Sequence, residues 1–588
     1  MRTLKYIVSA VVFMGSSVLS LHAQDSVLNR NITVEREYKP VIHDAGKIKS
    51  TPKTLEPKVE KVKPTFSDFN LPLNADYSIH TLPAAQLDRE KHAADNGGFA
   101  RFGLGNYFNT LAEFAYPLIN SEETKLDFSF NHLSTLGTKA HSNTHAAVSF
   151  DQYFNSVNLY AGMGLGHEYL KYYGNNFDSI NSAVNFSTLA KTNGSAAYSE
   201  LNAGKTNGTV ASTTLNELAA DYNSNTFWRF NAFAGVRSLP AATELRYKAE
   251  MQFKSFSAIN GLSEKQVHTQ VGFDKQNDDN RFGVNLDMHN LSYASNNSSI
   301  INTINGYSVL ALNPFYSIEQ TDLDIHLGVK SSFSFAPGHP FRPSPDLYAE
   351  WRAVPNQFAL YGGIGGDFSI NTMDKIFAEN RYTFNNMRVD DTYTPYELYL
   401  GFKFKPVYSL LIDGFVDYKQ FDNQYFFVNK EYSCDTLTGN NSNLFSNRFN
   451  VIYSKASQAK IGIRANYNLC STINVQFKGA YNGWTVKSEE HAWNKPDWEA
   501  DLSSDIKISN ELTVSGNLFY EGKRWAKIGT TAVPMNSKID INLGAAYSYS
   551  NSFTAFAKIN NLINRKYQDF YGYDVQGFNV MAGVAFSF

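Results

Sequence analysis

The sequence predicts an all-β fold: a large transmembrane antiparallel β-barrel of about 22 strands, preceded by a proline-rich extended N-terminal segment. Three observations predict it. From Gly97 onward the chain is built of runs that alternate apolar and polar residues. The links between these runs alternate between tight and long. The chain also ends on a strand with one greasy wall: Phe578, Val580, Ala582, Val584, Phe586 and Phe588 on one face, Asn579, Met581, Gly583, Ala585 and Ser587 on the other.

The elements divide the chain into residues 1–23, 24–96 and 97–588. Arg2 and Lys5 precede the apolar run Ile7 to Leu21, and Leu21-His22-Ala23 offers a cleavage site before Gln24, the pattern of a secretory signal peptide. No other stretch reaches eighteen consecutive apolar residues, so no transmembrane helix is expected.

Residues 24–96 hold six of the 18 prolines: Pro40, Pro52, Pro57, Pro64, Pro72 and Pro83. Proline at this density denies both helix and sheet ladder. The segment reads as an extended periplasmic tether or a lumen filler, with a reach of roughly 200 Å at about 3.1 Å per residue. It is not uniformly polar. Val34, Tyr38, Val41, Ile42 and Ile48 punctuate residues 32–48, and Tyr38, Pro40 and Ile42 are candidate contacts to a partner or to the lumen.

Within 97–588, Tyr396, Leu398, Leu400, Phe402 and Phe404 oppose Glu397, Tyr399, Lys403 and Lys405; Ile473, Val475, Phe477 and Tyr481 oppose Asn474, Gln476, Lys478 and Asn482. Charges on one face are tolerable only against a wet lumen. Tight links fall at Asn155-Ser156, Val407-Tyr408, Ser471-Thr472, Asn510-Glu511 and Asn551-Ser552. Long polar stretches fall near 371–393, 422–445, 485–496, 525–536 and 563–576. Short turns at one end and long loops at the other are expected of such a barrel, the short side being periplasmic. The count lies between 22 and 24, with 175–225 the ambiguous region; 22 is the expectation.

Composition agrees. Aromatics make up 14% of the chain, with 35 Tyr and 44 Phe, suited to strands and interface girdles. Mean hydropathy is mildly negative, which fits a polar lumen and polar loops. The net charge of −3 gives no basic footprint for nucleic acid. Cys434, in the predicted long loop 422–445, and Cys470, at a predicted short turn, should lie a membrane apart and stay unpaired with each other.

Isolated motifs carry no chemistry. Gly162-Met163-Gly164-Leu165-Gly166 sits in an alternating strand with no helix after it, so close strand approach is the reading rather than a phosphate loop. His141 and His145 share a strand face about 13 Å apart, too far for one metal ion. Glu489, Glu490 and His491 fall in a predicted loop. No serine or cysteine nucleophile has a recognisable base, so neither an enzyme nor a cofactor is expected.

Two segments carry a resemblance. The terminal strand, ending on Phe586-Ser587-Phe588, resembles the closing strand of bacterial outer-membrane barrels, where the terminal aromatic is read by the barrel-assembly machinery. Ile559-Asn560-Asn561-Leu562-Ile563-Asn564-Arg565-Lys566-Tyr567 resembles the element that opens the last hairpin loop of TonB-dependent receptors, with Asn561, Leu562, Asn564 and Tyr567 matching and Ile563 in place of the usual aromatic. Those receptors are 22-stranded outer-membrane barrels that import scarce nutrients. Their N-terminal plug exceeds 100 residues, whereas only the 73 residues 24–96 precede the first strand here. Val34 to Ile42 and Gly103-Leu104-Gly105-Asn106-Tyr107 look like plugless receptor-like proteins of Bacteroidetes.

The resemblance implies an outer-membrane location with the N-terminus periplasmic, contact with outer-membrane lipid, and uptake or passage of a solute. The alternative is a structural subunit that holds a periplasmic or outer-membrane protein through residues 24–96. A 22-stranded lumen is wide, so inward-folded loops, the N-terminal segment or a separate protein must fill it.

Overall fold

The computed structural model describes residues 97–174, 224–239, 245–259, 261–295, 306–336, 340–385, 387–432, 444–469 and 472–588. Tyr38, Pro40, Ile42, Cys434 and Cys470 lie outside them. The described residues all belong to one compact unit, His43–Phe588.

The strands run β1 (Phe99–Gly105), β2 (Thr110–Asn120), β3 (Thr124–Thr135), β4 (His141–Tyr153), β5 (Val157–Lys171), β6 (Ser224–Ser238), β7 (Leu245–Ala258), β8 (Leu262–Asn277) and β9 (Asn280–Ser295). Then come β10 (Tyr307–Glu319), β11 (Leu323–Ser334), β12 (Phe341–Val354), β13 (Phe358–Ser369), β14 (Thr392–Val407), β15 (Leu410–Tyr432), β16 (Leu444–Leu469), β17 (Ile473–Val486), β18 (Trp498–Lys507) and β19 (Leu512–Glu521). The last are β20 (Arg524–Ile528), β21 (Thr531–Met535), β22 (Lys538–Ser550), β23 (Phe553–Asn560), β24 (Gln568–Phe570), β25 (Tyr573–Asp574) and β26 (Asn579–Ser587). Among the described residues there is one α-helix, α1 (Met373–Glu379).

Twenty-two of the strands form a single antiparallel sheet that closes when β1 pairs with β26, Phe99 opposite Ser587. The hairpins β20–β21 and β24–β25 stand apart in loops. This is the expected closed barrel with the expected strand number. Closure extends to the terminal residue: the Gly98 amide donates to the Phe588 carbonyl and the Phe588 amide to Gly98.

The alternation works as read. Leu398, Leu400, Phe402 and Phe404 of β14 are exposed on the outer wall. Lys403 of the same strand turns inward to Glu350 of β12 at 3.0 Å. Lys419 meets Glu397 at 2.8 Å and Arg464 meets Asp413 at 3.1 Å, so charges on the lumen face pair between adjacent strands or, as Lys403 and Glu350 do, across one intervening strand. Phe586 and Phe588 are exposed on the outer face, Phe588 against Tyr116 with ring centroids 6.0 Å apart. Gly162 and Gly164 lie in β5, where an added Cβ would meet the Phe233 ring at 2.6 Å or run into Asn231 Oδ1. Close approach explains those glycines.

One boundary is corrected. Of the stretch 422–445, expected as a long polar loop, the described residues 422–432 and 444–445 are strand: β15 and β16 run 23 and 26 residues, against 7 for β1. A membrane crossing needs only about 9–11 strand residues, so this hairpin projects well beyond the barrel rim. Tyr425 and Phe427 are buried on one face while Phe426 and Val428 are buried on the other. A strand covered on both sides has no period-two signature, which is why its sequence did not read as one.

Candidate functional site

At the loop end of the barrel the segment between β13 and β14, residues 370–391, folds inward across the mouth. Its local fold follows from the sequence. Thr372 caps α1, its hydroxyl accepting from the Lys375 amide at 3.1 Å. Met373, Ile376 and Phe377 follow at i, i+3, i+4 and are fully buried. Seven residues cannot hold a helix in isolation; packing holds it here. Phe377 meets Phe227 and Phe256, with ring centroids at 4.8 and 5.4 Å, on the far wall strands β6 and β7. Those strands stand eight and seven places round the sheet from β14, so the segment crosses the mouth. It is a lid, and the inward-folded loop is the one of the three expected lumen fillers that the described residues contain.

Polar clamps fix the lid to the wall. The Met373 amide donates to Glu264 Oε2 of β8 at 2.8 Å. Arg229 of β6 donates through Nε to Asp374 at 2.6 Å and through Nη1 to Glu168 of β5 at 2.7 Å, while His141 meets the other Glu168 oxygen at 3.0 Å. Asn385 accepts from Asn225 at 2.6 Å and from Arg448 at 3.1 Å, and donates to the Ile259 carbonyl at 2.9 Å. The lid also borrows the free edge of the projecting hairpin. The Phe449 amide donates to the Tyr382 carbonyl at 3.0 Å and the Phe384 amide to the Phe449 carbonyl at 2.8 Å.

Other loops lock over it. Lys495, from the 487–497 loop, pairs with Glu379 at the end of α1, and the Tyr425 hydroxyl donates to the same carboxylate. Burial opposes the Glu379 charge, but the Lys495 ammonium and these hydrogen bonds outweigh it, holding the carboxyl below the usual range. Asp391, at the lid's other root, differs. Burial pushes it up to about 6 despite the Tyr307 hydroxyl donating at 2.7 Å. The last loop contributes Tyr573, stacked on Tyr382 at 3.5 Å with Tyr173 edge-on to both.

The receptor-like motif builds that last loop. Asn561 is fully buried in the left-handed region at φ 49°. Its amide side chain donates to the carbonyls of Arg565 and Gln576, both at 3.0 Å, and accepts from the Arg565 amide at 2.9 Å. Asn564 accepts from the Phe578 amide at 2.9 Å, and the buried Tyr567 hydroxyl donates to Asp540 at 2.6 Å. Leu562 is exposed. The three polar members thus pin both ends of residues 561–578, and the tip they position carries Tyr573 against the lid.

Sequence reading found the motif and missed the lid residues Asp374, Glu379, Asn385 and Asp391. The available signal was Thr372 followed by the Met373/Ile376/Phe377 spacing inside a stretch otherwise read as an outward loop. Among the described residues no group of three or more His, Cys, Asp or Glu is placed to hold a metal ion.

No family model matches the sequence, and no curated protein does. Solved structures match the fold. The FpvAI structure in its complex with pyocin S2 aligns with TM-score 0.58 at 13% identity, over 84% of this chain and 73% of that one. The siderophore receptor PirA from Acinetobacter baumannii gives 0.58 at 10% identity, over 84% and 80%. The closed form of the ferric-catecholate import receptor Fiu from E. coli K12 gives 0.57 at 10% identity, over 84% and 82%. At these identities the likeness is one of architecture: the chain has the barrel fold of outer-membrane receptors.

Proposed function

We propose that the protein is an outer-membrane receptor-type barrel for uptake or passage of a solute. In this reading the loop end faces the medium, and the short-turn end and residues 24–96 face the periplasm. The observation that carries the reading is the lid: a pore wall lined with paired charges, sealed at the loop end by a clamped, aromatic-packed segment rather than left as an open channel. A sealed mouth suits a pathway that opens for a cargo. Ferric chelates, named for the structural neighbours, are the first cargo class to test.

The experiment is single-channel recording in planar bilayers with the full chain and with residues 373–389 replaced by a short Gly-Ser link. The native barrel should be nearly silent and the lid-less barrel should conduct in large, stable steps. A lid-less barrel as silent as the native one, when shown to be folded by heat-modifiable mobility, would remove the lid from the solute pathway and the reading with it.

A further inference from the structure

Ser317 of β10, His326 of β11 and Asp346 of β12 form a hydrogen-bonded chain across three neighbouring strands of the lumen wall. Tyr316 and Leu327, the neighbours of the first two, are exposed on the outer wall, so Ser317 and His326 face inward. Register sets the contact. Ser317 lies directly opposite His326, and Arg281 of β9 lies directly opposite Ser317 on the other side. The Ser317 hydroxyl meets His326 Nδ1 at 2.8 Å, and His326 Nε2 meets Asp346 Oδ2 at 3.3 Å. A carboxylate only accepts, so it fixes the imidazole proton on Nε2 and leaves Nδ1 to accept from the serine. Phe315 stacks on the imidazole with ring centroids 5.4 Å apart and holds its plane. The sequence shows no base for any serine because Ser317 and His326 meet only once the β10–β11 register is set.

These three side chains line one cavity of about 570 Å³, together with Arg281 and Tyr348. Its size falls within the roughly 300–1,000 Å³ of small-molecule sites. Ser317 stands two residues before the end of β10, so the cavity lies at the tight-turn end of the lumen, away from the lid. Arg281 supplies the fourth part. Its Nε donates to Asp274 at 2.8 Å and Glu319 stands 3.9 Å from Nη1, so neither terminal nitrogen makes a hydrogen bond. A nucleophile, a base within hydrogen-bond reach, a group that orients the base and a cation with unused donors are the parts of an acyl-transfer site.

We propose that the protein hydrolyses esters of small carboxylic acids in this cavity, with Ser317 as the nucleophile and His326 as the base. Ser317 Oγ attacks the carbonyl carbon while its proton passes to His326 Nδ1, and the Arg281 terminal nitrogens donate to the oxyanion. The bond to the alcohol oxygen breaks, and the alcohol leaves with the proton from Nδ1, which gives an acyl-Ser317 ester. Water then attacks the acyl carbon and gives a proton to the same nitrogen. The carboxylic acid departs as Ser317 recovers that proton. One ester and one water yield one acid and one alcohol, with no other reactant. Asp346 touches no substrate and is a positioning residue for the His326 ring. The inference goes beyond the uptake reading and does not require the lid to move.

The test treats the full-length, detergent-solubilised barrel with a fluorophosphonate probe and assays it with p-nitrophenyl acetate and butyrate. Peptide mass spectrometry should place the probe on Ser317 in the folded barrel and find none there in barrel denatured beforehand. Ser317→Ala should lose labelling and hydrolysis together. His326→Gln should slow hydrolysis roughly 100-fold or more, and Arg281→Gln by a similar factor. Asp346→Asn should lower kcat with KM little changed, a split that a merely structural role does not produce. Labelling of the native barrel needs no variant, so it decides the matter if a substitution fails to fold. A folded native barrel whose Ser317 stays unlabelled, or hydrolysis that survives Ser317→Ala, overturns the inference. The lid-less conductance measurement is independent of these results, so an unlabelled Ser317 beside a conducting lid-less barrel sinks this activity and leaves the uptake reading standing.

Discussion

Lys495→Met should loosen the lid without touching the barrel wall. Lys495 sits in the 487–497 loop and holds the Glu379 carboxylate, whose other donor is the Tyr425 hydroxyl. The two side chains are 16% and 18% exposed, so the pair is largely but not wholly removed from water. Breaking a fully buried pair by deleting one partner costs about 3–5 kcal/mol. With a sixth of each group still wet, about 2 kcal/mol is the reasonable share here. If opening returns Glu379 to water, that loss appears as a rise in the open population of roughly 30-fold, since about 1.4 kcal/mol is tenfold. The assay is open probability in planar bilayers, with Glu379→Gln/Lys495→Met as the second corner of the cycle. Removing the charge together with its partner should recover most of the closed state. An open probability within twofold of native in a folded Lys495→Met barrel would refute the reasoning, as would a double variant more open than the single one.

Four further outcomes are expected. Asp391 titrates near 6 in the closed lid against about 3.9 unfolded; the closed form takes up the proton first, so closure should strengthen as pH falls from about 7 towards 4, and Asp391→Asn should flatten conductance over that window. Glu379 is shifted the other way: its contribution is complete above the ordinary Glu value of about 4.3 and fades only as pH falls from there through its own depressed value, so it should not mask this trend over most of the window. Asn561→Ala removes three hydrogen bonds and places alanine at φ 49°, which at about 2 kcal/mol or more should raise trypsin cleavage at Arg565-Lys566 roughly 30-fold; an unchanged cleavage rate would deny the motif its pinning role. Deleting Phe588 should lower the heat-modifiable folded form while export continues, and native-level assembly would remove the proposed C-terminal signal. Deleting residues 32–48, with the candidate contacts Tyr38, Pro40 and Ile42, should either raise permeability to large antibiotics or release a co-purifying protein; if it does neither, the segment is a bland leader.

Much of the barrel was legible because membrane strands obey one rule. Leu398 and Lys403 must face different solvents, so β14 writes its own geometry into its sequence. The terminal strand and the tight turns follow the same logic. The top of β15 was not legible, because Phe426 and Phe427 are buried on opposite faces and neither face meets lipid or water. The lid was hidden for a related reason. Asp374, Glu379 and Asn385 look like solvated loop residues until Arg229, Lys495 and Asn225 are brought to them from positions 116 to 160 residues away in the chain. Asn561 was visible by motif, but its bonds to Arg565 and Gln576 required the loop to be folded.

The strand pair that closes the ring has a bearing on how the molecule is made. β1 and β26 share seven residue pairs, against twenty between β15 and β16. They also join Phe99 to Ser587, almost the two extremes of the barrel sequence. The loop entropy of so distant a pairing must be met by few hydrogen bonds, so it is the least favourable pairing to form early and the most natural to form last. Until Phe588 itself is delivered, β1 keeps an unsatisfied edge, and an open edge recruits other strands. A chain truncated by even one strand is therefore expected to remain an open sheet with β1 unpaired on that side.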